Sequence, residues 1–220
     1  MKPVSSFNKL LTVFFIFIAL LISFRIFYSG SGRFVFLFWN IFLAWIPYIL
    51  SCYFEFYRKK EKWKQLVLFA SWLLFFPNAL YIVTDLVHLQ DENNMPWWFD
   101  AVLVFASSFI GIVMAFISLR KAELYLKTLF GKGLVAASVA GILFLGSLGV
   151  YLGRFQRWNS WDVVNDPLAL SVDIISKIIN PVENYKVWAI TVLFTAIYSL
   201  IYFFIKILPQ AFSEIKNTGQ

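Results

Sequence analysis

Charge is what this chain has least of. Only 14% of its 220 residues are charged and 60% are hydrophobic, whereas a soluble domain carries roughly a quarter charged residues. Too few charges remain to cover a water-facing surface, so an ordinary soluble globule is excluded. A single cysteine, Cys52, excludes an intrachain disulfide. It lies inside an apolar block and reads as a small hydrophobe. A single histidine, His88, excludes a three-histidine zinc site. P-loop, zinc-finger and dinucleotide-glycine spacings are all missing. No serine sits in a nucleophile-elbow pattern, and nothing marks Ser160 as activated.

What is there is long apolar runs. They come in blocks near the length that crosses a hydrocarbon core about 30 Å thick, roughly 20 helical residues. The spacing predicts six spans, at 10–27, 34–54, 66–83, 101–119, 134–152 and 187–208. Each must be helical, because lipid offers no partner to a free amide. The expected fold is therefore all-α, a single integral membrane domain over residues 1–220. The first run follows Lys2 and Lys9 as a signal peptide would. No small-x-small cleavage site follows it, so it reads as a retained span. Pro47 and Pro77 should kink the second and third helices. Gly141, Ala137, Gly146 and Gly149 in the fifth suggest close helix packing.

The net charge of +7 has a membrane explanation rather than a nucleic-acid one. Basic residues between spans set orientation and meet anionic lipid headgroups. One side collects Lys2, Lys9, Arg58, Lys59, Lys60, Lys62, Lys64, Arg120, Lys121, Lys127, Lys132, Lys206 and Lys216. The other holds only Arg25, Arg33, Arg154, Arg157, Lys177 and Lys186. By the positive-inside rule both termini are cytoplasmic. The third connection, residues 84–100, then faces outward with Asp85, His88, Asp91, Glu92 and Asp100 and no Lys or Arg. The fifth, residues 153–186, also faces outward. Within it Asp166-Pro167 supplies an N-cap and a first-turn proline, followed by Leu168, Val172, Ile175 and Ile179 at helical spacing. That predicts a short helix lying on the outer interface.

Two segments carry the polar residues of interest. In the first, Asn78, Tyr81, Asp85 and His88 are spaced 3, 4 and 3, which places them on one stripe of a helix. Pro77 frees a backbone carbonyl one turn earlier. A polar stripe in a span must face protein or a water-filled cavity, so a cleft open to the outside is expected. The plainer reading makes Asn78 and Tyr81 interhelical hydrogen-bond glue and leaves Asp85 and His88 at headgroup level. The second segment is Gly153-Arg154-Phe155-Gln156-Arg157-Trp158-Asn159-Ser160-Trp161-Asp162. On a continuing helix Arg154 and Arg157 would share a face, and a guanidinium fork suits phosphate or carboxylate. Trp158 and Trp161, like Trp97 and Trp98, fit an interfacial aromatic belt, or could stack on a sugar.

From these residues the candidate site is Asn78, Tyr81, Asp85, His88, Asp100, Arg154, Arg157, Trp158, Asn159, Trp161 and Asp162. Asp85 and His88 are candidates for proton transfer. With Asp100 they are also candidate ligands of a divalent metal of the oxygen-loving kind. The alternative is a structural ion pair between Arg154 and Asp85.

At these segments the chain resembles a bacterial family of integral membrane proteins grouped only as a domain of unknown function. The resemblance rests on Pro77-Asn78, Tyr81, Thr84-Asp85 and His88-Leu89, and on Gly153-Arg154 with Arg157 to Asp162. It covers most of the chain from the second span onward. It implies a bacterial plasma membrane protein and brings no activity with it. The expectation is a polar site at the outer face that binds or processes an anionic or glycan-bearing envelope lipid. A small-solute transporter and a non-catalytic membrane scaffold are the alternatives. A carrier usually has broken helices at the midplane and a paired repeat, and only Pro47 and Pro77-Asn78 hint at breaks.

Overall fold

The computed structural model describes residues 5–89 and 95–218. Among these residues there are helices and no strands. In chain order they are α1 (Ser5–Ser29), α2 (Phe36–Cys52), α3 (Phe54–Tyr57), α4 (Lys62–Tyr81), a 3₁₀ helix (Ile82–His88), α5 (Trp97–Leu126), α6 (Lys132–Phe155), α7 (Asp162–Asn165), α8 (Pro167–Ile179) and α9 (Tyr185–Thr218). Six helical segments are long and apolar enough to cross a membrane: Ser6–Ser29, Phe36–Tyr57, Lys62–His88, Trp97–Leu126, Lys132–Phe155 and Tyr185–Ile215. They match the six expected blocks, five of them longer at both ends and the second starting two residues later. α5 begins at Trp97 and runs past Arg120 and Lys121, so Asp100 lies in its first turn rather than in a loop. Pro47 and Pro77 lie inside α2 and α4. Asp91 and Glu92 fall outside the described residues.

The helices group into two compact units, Met1–Tyr125 and Leu126–Gln220. In the first, α2 packs along α4. Its interior holds Leu37 and Ala44 of α2, Trp72, Phe76 and Leu80 of α4, and Leu103, Met114 and Leu119 of α5, all fully buried. An aromatic cluster of Phe54, Phe69, Trp72 and Tyr125 closes one end. The crossing of α5 over the end of α4 requires a glycine. A Cβ on Gly111 would overlap the Ile82 Cγ2 methyl and sit 3.1 Å from the Ala79 carbonyl oxygen. One turn earlier, Ser108 Oγ donates to the Ile82 carbonyl at 3.1 Å. This side-chain donor supplies the Ile82 carbonyl with a partner where the α-helix tightens to 3₁₀.

In the second unit α6 packs along α9. Tyr151, Leu152 and Val187 form the buried core, with Leu148, Trp158, Ile174 and Ile190 against it. Gly146 is buried, but Gly141 and Ala137 are exposed, and a Cβ on Gly141 would meet nothing within 4 Å. Of the small residues of α6, Gly141 is thus not at a close contact. α8 forms as its cap predicts, with the Asp166 side chain accepting from the Ala169 amide at 3.2 Å and Pro167 at the helix start. Its outward apolar residues Leu168, Val172, Ile175 and Ile179 are more than half exposed, while Lys177 is only 6% exposed. That is the reverse of a helix on a water-facing surface.

Candidate functional site

The polar stripe belongs wholly to the first unit. The helix type changes within it, from α to 3₁₀ after Tyr81. Asn78 Nδ2 donates within α4 to the Phe75 carbonyl at 3.1 Å, and Thr84 Oγ1 donates to the Tyr81 carbonyl at 2.6 Å. Beyond Tyr81 the chain is 3₁₀, in which residues three apart eclipse. Asp85 and His88 therefore share one face, and that face meets α2. Asp85 is 1% exposed, and its Oδ2 accepts from Asn40 Nδ2 at 2.7 Å. The His88 ring lies edge-on to Phe36, with centroids 5.3 Å apart.

Two arginines reach the same end of this unit. Arg25, near the end of α1, is fully buried. Its Nε donates to Asp100 Oδ1 at 2.6 Å and its Nη2 to Asp100 Oδ2 at 3.0 Å. Nη1 donates to the Ser31 carbonyl at 3.2 Å, and the guanidinium lies 4.6 Å from the centroid of Phe34. This two-bond fork, with a third bond to backbone, is how a buried charge pair is made tolerable. Arg33, half-buried, donates from Nη2 to the His88 carbonyl at 3.1 Å and lies 5.8 Å from the same Phe34 ring. Phe34 in turn contacts Phe36. A continuous set of contacts thus runs from Asp100 through Arg25, Phe34 and Phe36 to His88.

The cation that meets Asp100 is therefore Arg25, from the first helix. Its sequence signal was a lone arginine ending an apolar run. It can be read as an orienting headgroup charge, but an ionisable residue bordering a span points first to a buried partner. Asn40 and Arg33 carry no motif, and their roles follow only from the packing of α2. Among the described residues no three of His, Cys, Asp and Glu come together as a metal-holding group.

The arginine–tryptophan segment lies in the second unit. α6 ends at Phe155, so Arg154 and Arg157 do not share a helical face. Arg157 takes the left-handed conformation, φ 62°, which turns the chain so that the Trp158 amide reaches the Leu152 carbonyl at 3.2 Å. An αL residue other than glycine costs about 1–2 kcal/mol. Arg154 is half-buried and Arg157 exposed. Trp158 packs on the Tyr151–Leu152–Val187 core and donates from Nε1 to Asp173 Oδ2 at 2.9 Å. Asp173 Oδ1 also accepts from Lys177. Asp162 Oδ2 accepts from the Asn159 backbone amide at 2.7 Å and from its side chain at 3.4 Å, which shapes the turn into α7. Trp161 is exposed. Within this segment Trp158 fastens α8 to the unit, and Asn159 and Asp162 order a turn.

A family model described as a protein of unknown function, DUF1361, matches residues 39–201. The chain belongs to that family. The matched region reaches across most of each unit and includes both polar segments, while Arg25, Arg33 and Phe34 precede it. No curated protein and no solved structure matches the chain. The family and the six apolar helices together fit a multi-pass membrane protein of unknown activity.

Proposed function

We propose that the first unit carries a headgroup-binding site at its outward end, for an anionic or glycan-bearing envelope lipid. The observation that carries this reading is the concentration of polar side chains there. Asp85 with Asn40, Arg25 with Asp100, and Arg33 with His88 gather at one end of the unit, beyond its apolar interior. Ionisable groups bordering lipid are expensive, and their presence favours a function over packing alone. Arg33 is the group suited to a phosphate oxygen. Asp85 and Asn40 suit hydroxyls, and His88 is the candidate for proton transfer. In the second unit, α8 turns Leu168, Val172, Ile175 and Ile179 outward, which supports its lying in the outer interface among lipid tails. Arg154 and Arg157 on that unit support contact with anionic headgroups.

The site can be read without knowing its ligand. Phe36→benzoylphenylalanine places a photo-reactive group beside His88, and the mass of its adducts in native membranes reports what visits. The expected result is enrichment of one anionic or glycan-bearing lipid over its share of the bulk membrane, lost on Asp85→Asn. Adducts in bulk proportion would overturn the proposal.

A further inference from the structure

The opposite end of the first unit holds a different cavity, about 25 Å along α1 at 1.5 Å per residue. Its volume is about 650 Å³, and its walls come from the start of α1, the end of α2, α3 and the end of α5. Lys121, half-buried on the last turns of α5, is its lining cation. Its ammonium donates to Cys52 Sγ at 2.9 Å and lies 4.6 Å from the centre of the Tyr48 ring. Cys52 Sγ itself reaches the Tyr48 carbonyl at 3.3 Å. The Tyr48 hydroxyl donates to Asn8 Oδ1 at 2.8 Å. Lys121 thus has a thiol and an aromatic face as neighbours and forms no ion pair among the described residues. Glu55 also lines the cavity, but its carboxylate is held by Arg58 at 2.6 Å.

A second, apolar groove adjoins this cavity. It has a volume of about 450 Å³ and is lined by Ile18, Ala19, Phe38 and Ile41, sharing Phe15 and Trp45 with the first. From Asn8 to Ala19 the two extend along about 16 Å of α1. The combination is a largely apolar chamber with one unneutralised cation, adjoining a hydrocarbon-lined groove between α1 and α2. The matching ligand has an anionic headgroup and an acyl chain. The chamber is much larger than a lone carboxylate needs and suits a glycerophosphate.

We infer that this end of the first unit binds an anionic phospholipid, its phosphate on Lys121 and one acyl chain in the Phe15–Trp45 groove. This inference uses none of the residues of the site proposed above. The test is photolabelling of the full chain in nanodiscs with diazirine-acyl phosphatidylglycerol, against the same acyl chain on phosphatidylcholine. A charge-assisted bond to the lysine predicts roughly tenfold preference for the anionic lipid at α1 and α2 peptides. Lys121→Gln should bring the two to parity, and Lys121→Arg should keep the preference. Ala19→Trp should reduce labelling by both. Equal labelling of the unmodified protein by the two lipids overturns the inference with no variant needed, as does a preference that survives Lys121→Gln.

Discussion

Arg25 and Asp100, 75 positions apart in the chain, meet through two hydrogen bonds of 2.6 and 3.0 Å with both side chains almost wholly buried. The pair ties the end of α1 to the start of α5. Each charge is tolerable only because the other is present. Removing one leaves the other buried and uncompensated, at about 3–5 kcal/mol, while replacing both with apolar residues can be nearly neutral. Arg25→Leu and Asp100→Leu should each lower the thermal unfolding midpoint in detergent strongly. The double variant should recover most of the loss. Additive losses would show that the two groups do not act as a pair.

Gly111 and Gly141 predict opposite signs for one substitution. Alanine is favoured over glycine within a helix by roughly 1 kcal/mol. At Gly141 a methyl meets nothing within 4 Å, so Gly141→Ala should be neutral or stabilising by up to that amount. At Gly111 the methyl collides with Ile82 at the α4–3₁₀ junction, and overpacking of this kind costs about 1–3 kcal/mol. Gly111→Ala should therefore destabilise, and Ile82→Ala in the same chain should relieve part of it. Unfolding midpoints of these three variants, set against the unmodified chain, decide the matter.

These two pairs also show how far the sequence can be read. Six spans, the short α8 and its Asp166 cap follow from apolar run length and from Asp-Pro chemistry, which are local properties. The partners of Arg25, Asn40 and Arg33 are not local. Nothing in the spacing of residues 25 and 100 couples them, and only the packing of α1 against α5 does. The stripe from Asn78 to His88 was legible as polar residues at helical intervals. Its division at Tyr81 was not, because the tightening to 3₁₀ is met by Ser108 from another helix. Likewise Gly111, a single glycine in a 30-residue helix, gives no sign of its role until α4 is laid against it.

Trp158 and Asp173 make a separable prediction in the second unit. Trp158→Phe keeps an aromatic ring on the Tyr151–Leu152–Val187 core and removes one hydrogen bond to a carboxylate, a loss of about 1.5–3 kcal/mol. Asp173→Ala removes that bond and also strips the buried Lys177 of its carboxylate, so it should be the more damaging change. Asp173→Ala with Lys177→Met should recover part of the difference. Because Trp158 holds α8, the amides of residues 168–179 should lose hydrogen-exchange protection in the same order. Uniform loss across both units would argue against a local fastening.

The last prediction concerns orientation. Burial changes the weight of the charges that set it. Arg25 and Lys177 are enclosed by protein and satisfied by Asp100 and Asp173, so they offer little to the headgroups. The outward set shrinks to Arg33, Arg154, Arg157 and Lys186, while the clusters around Lys60 and Lys127 stay exposed. The positive-inside bias therefore grows once the folded chain is considered, and it favours cytoplasmic termini more strongly than the raw residues do. In a Cys52→Ala background, Val164→Cys and Lys127→Cys place single thiols at exposed positions on the two predicted sides. A membrane-impermeant maleimide should label position 164 on intact cells and position 127 only in inverted vesicles. The opposite pattern would invert the topology and place the polar end of the first unit in the cytoplasm.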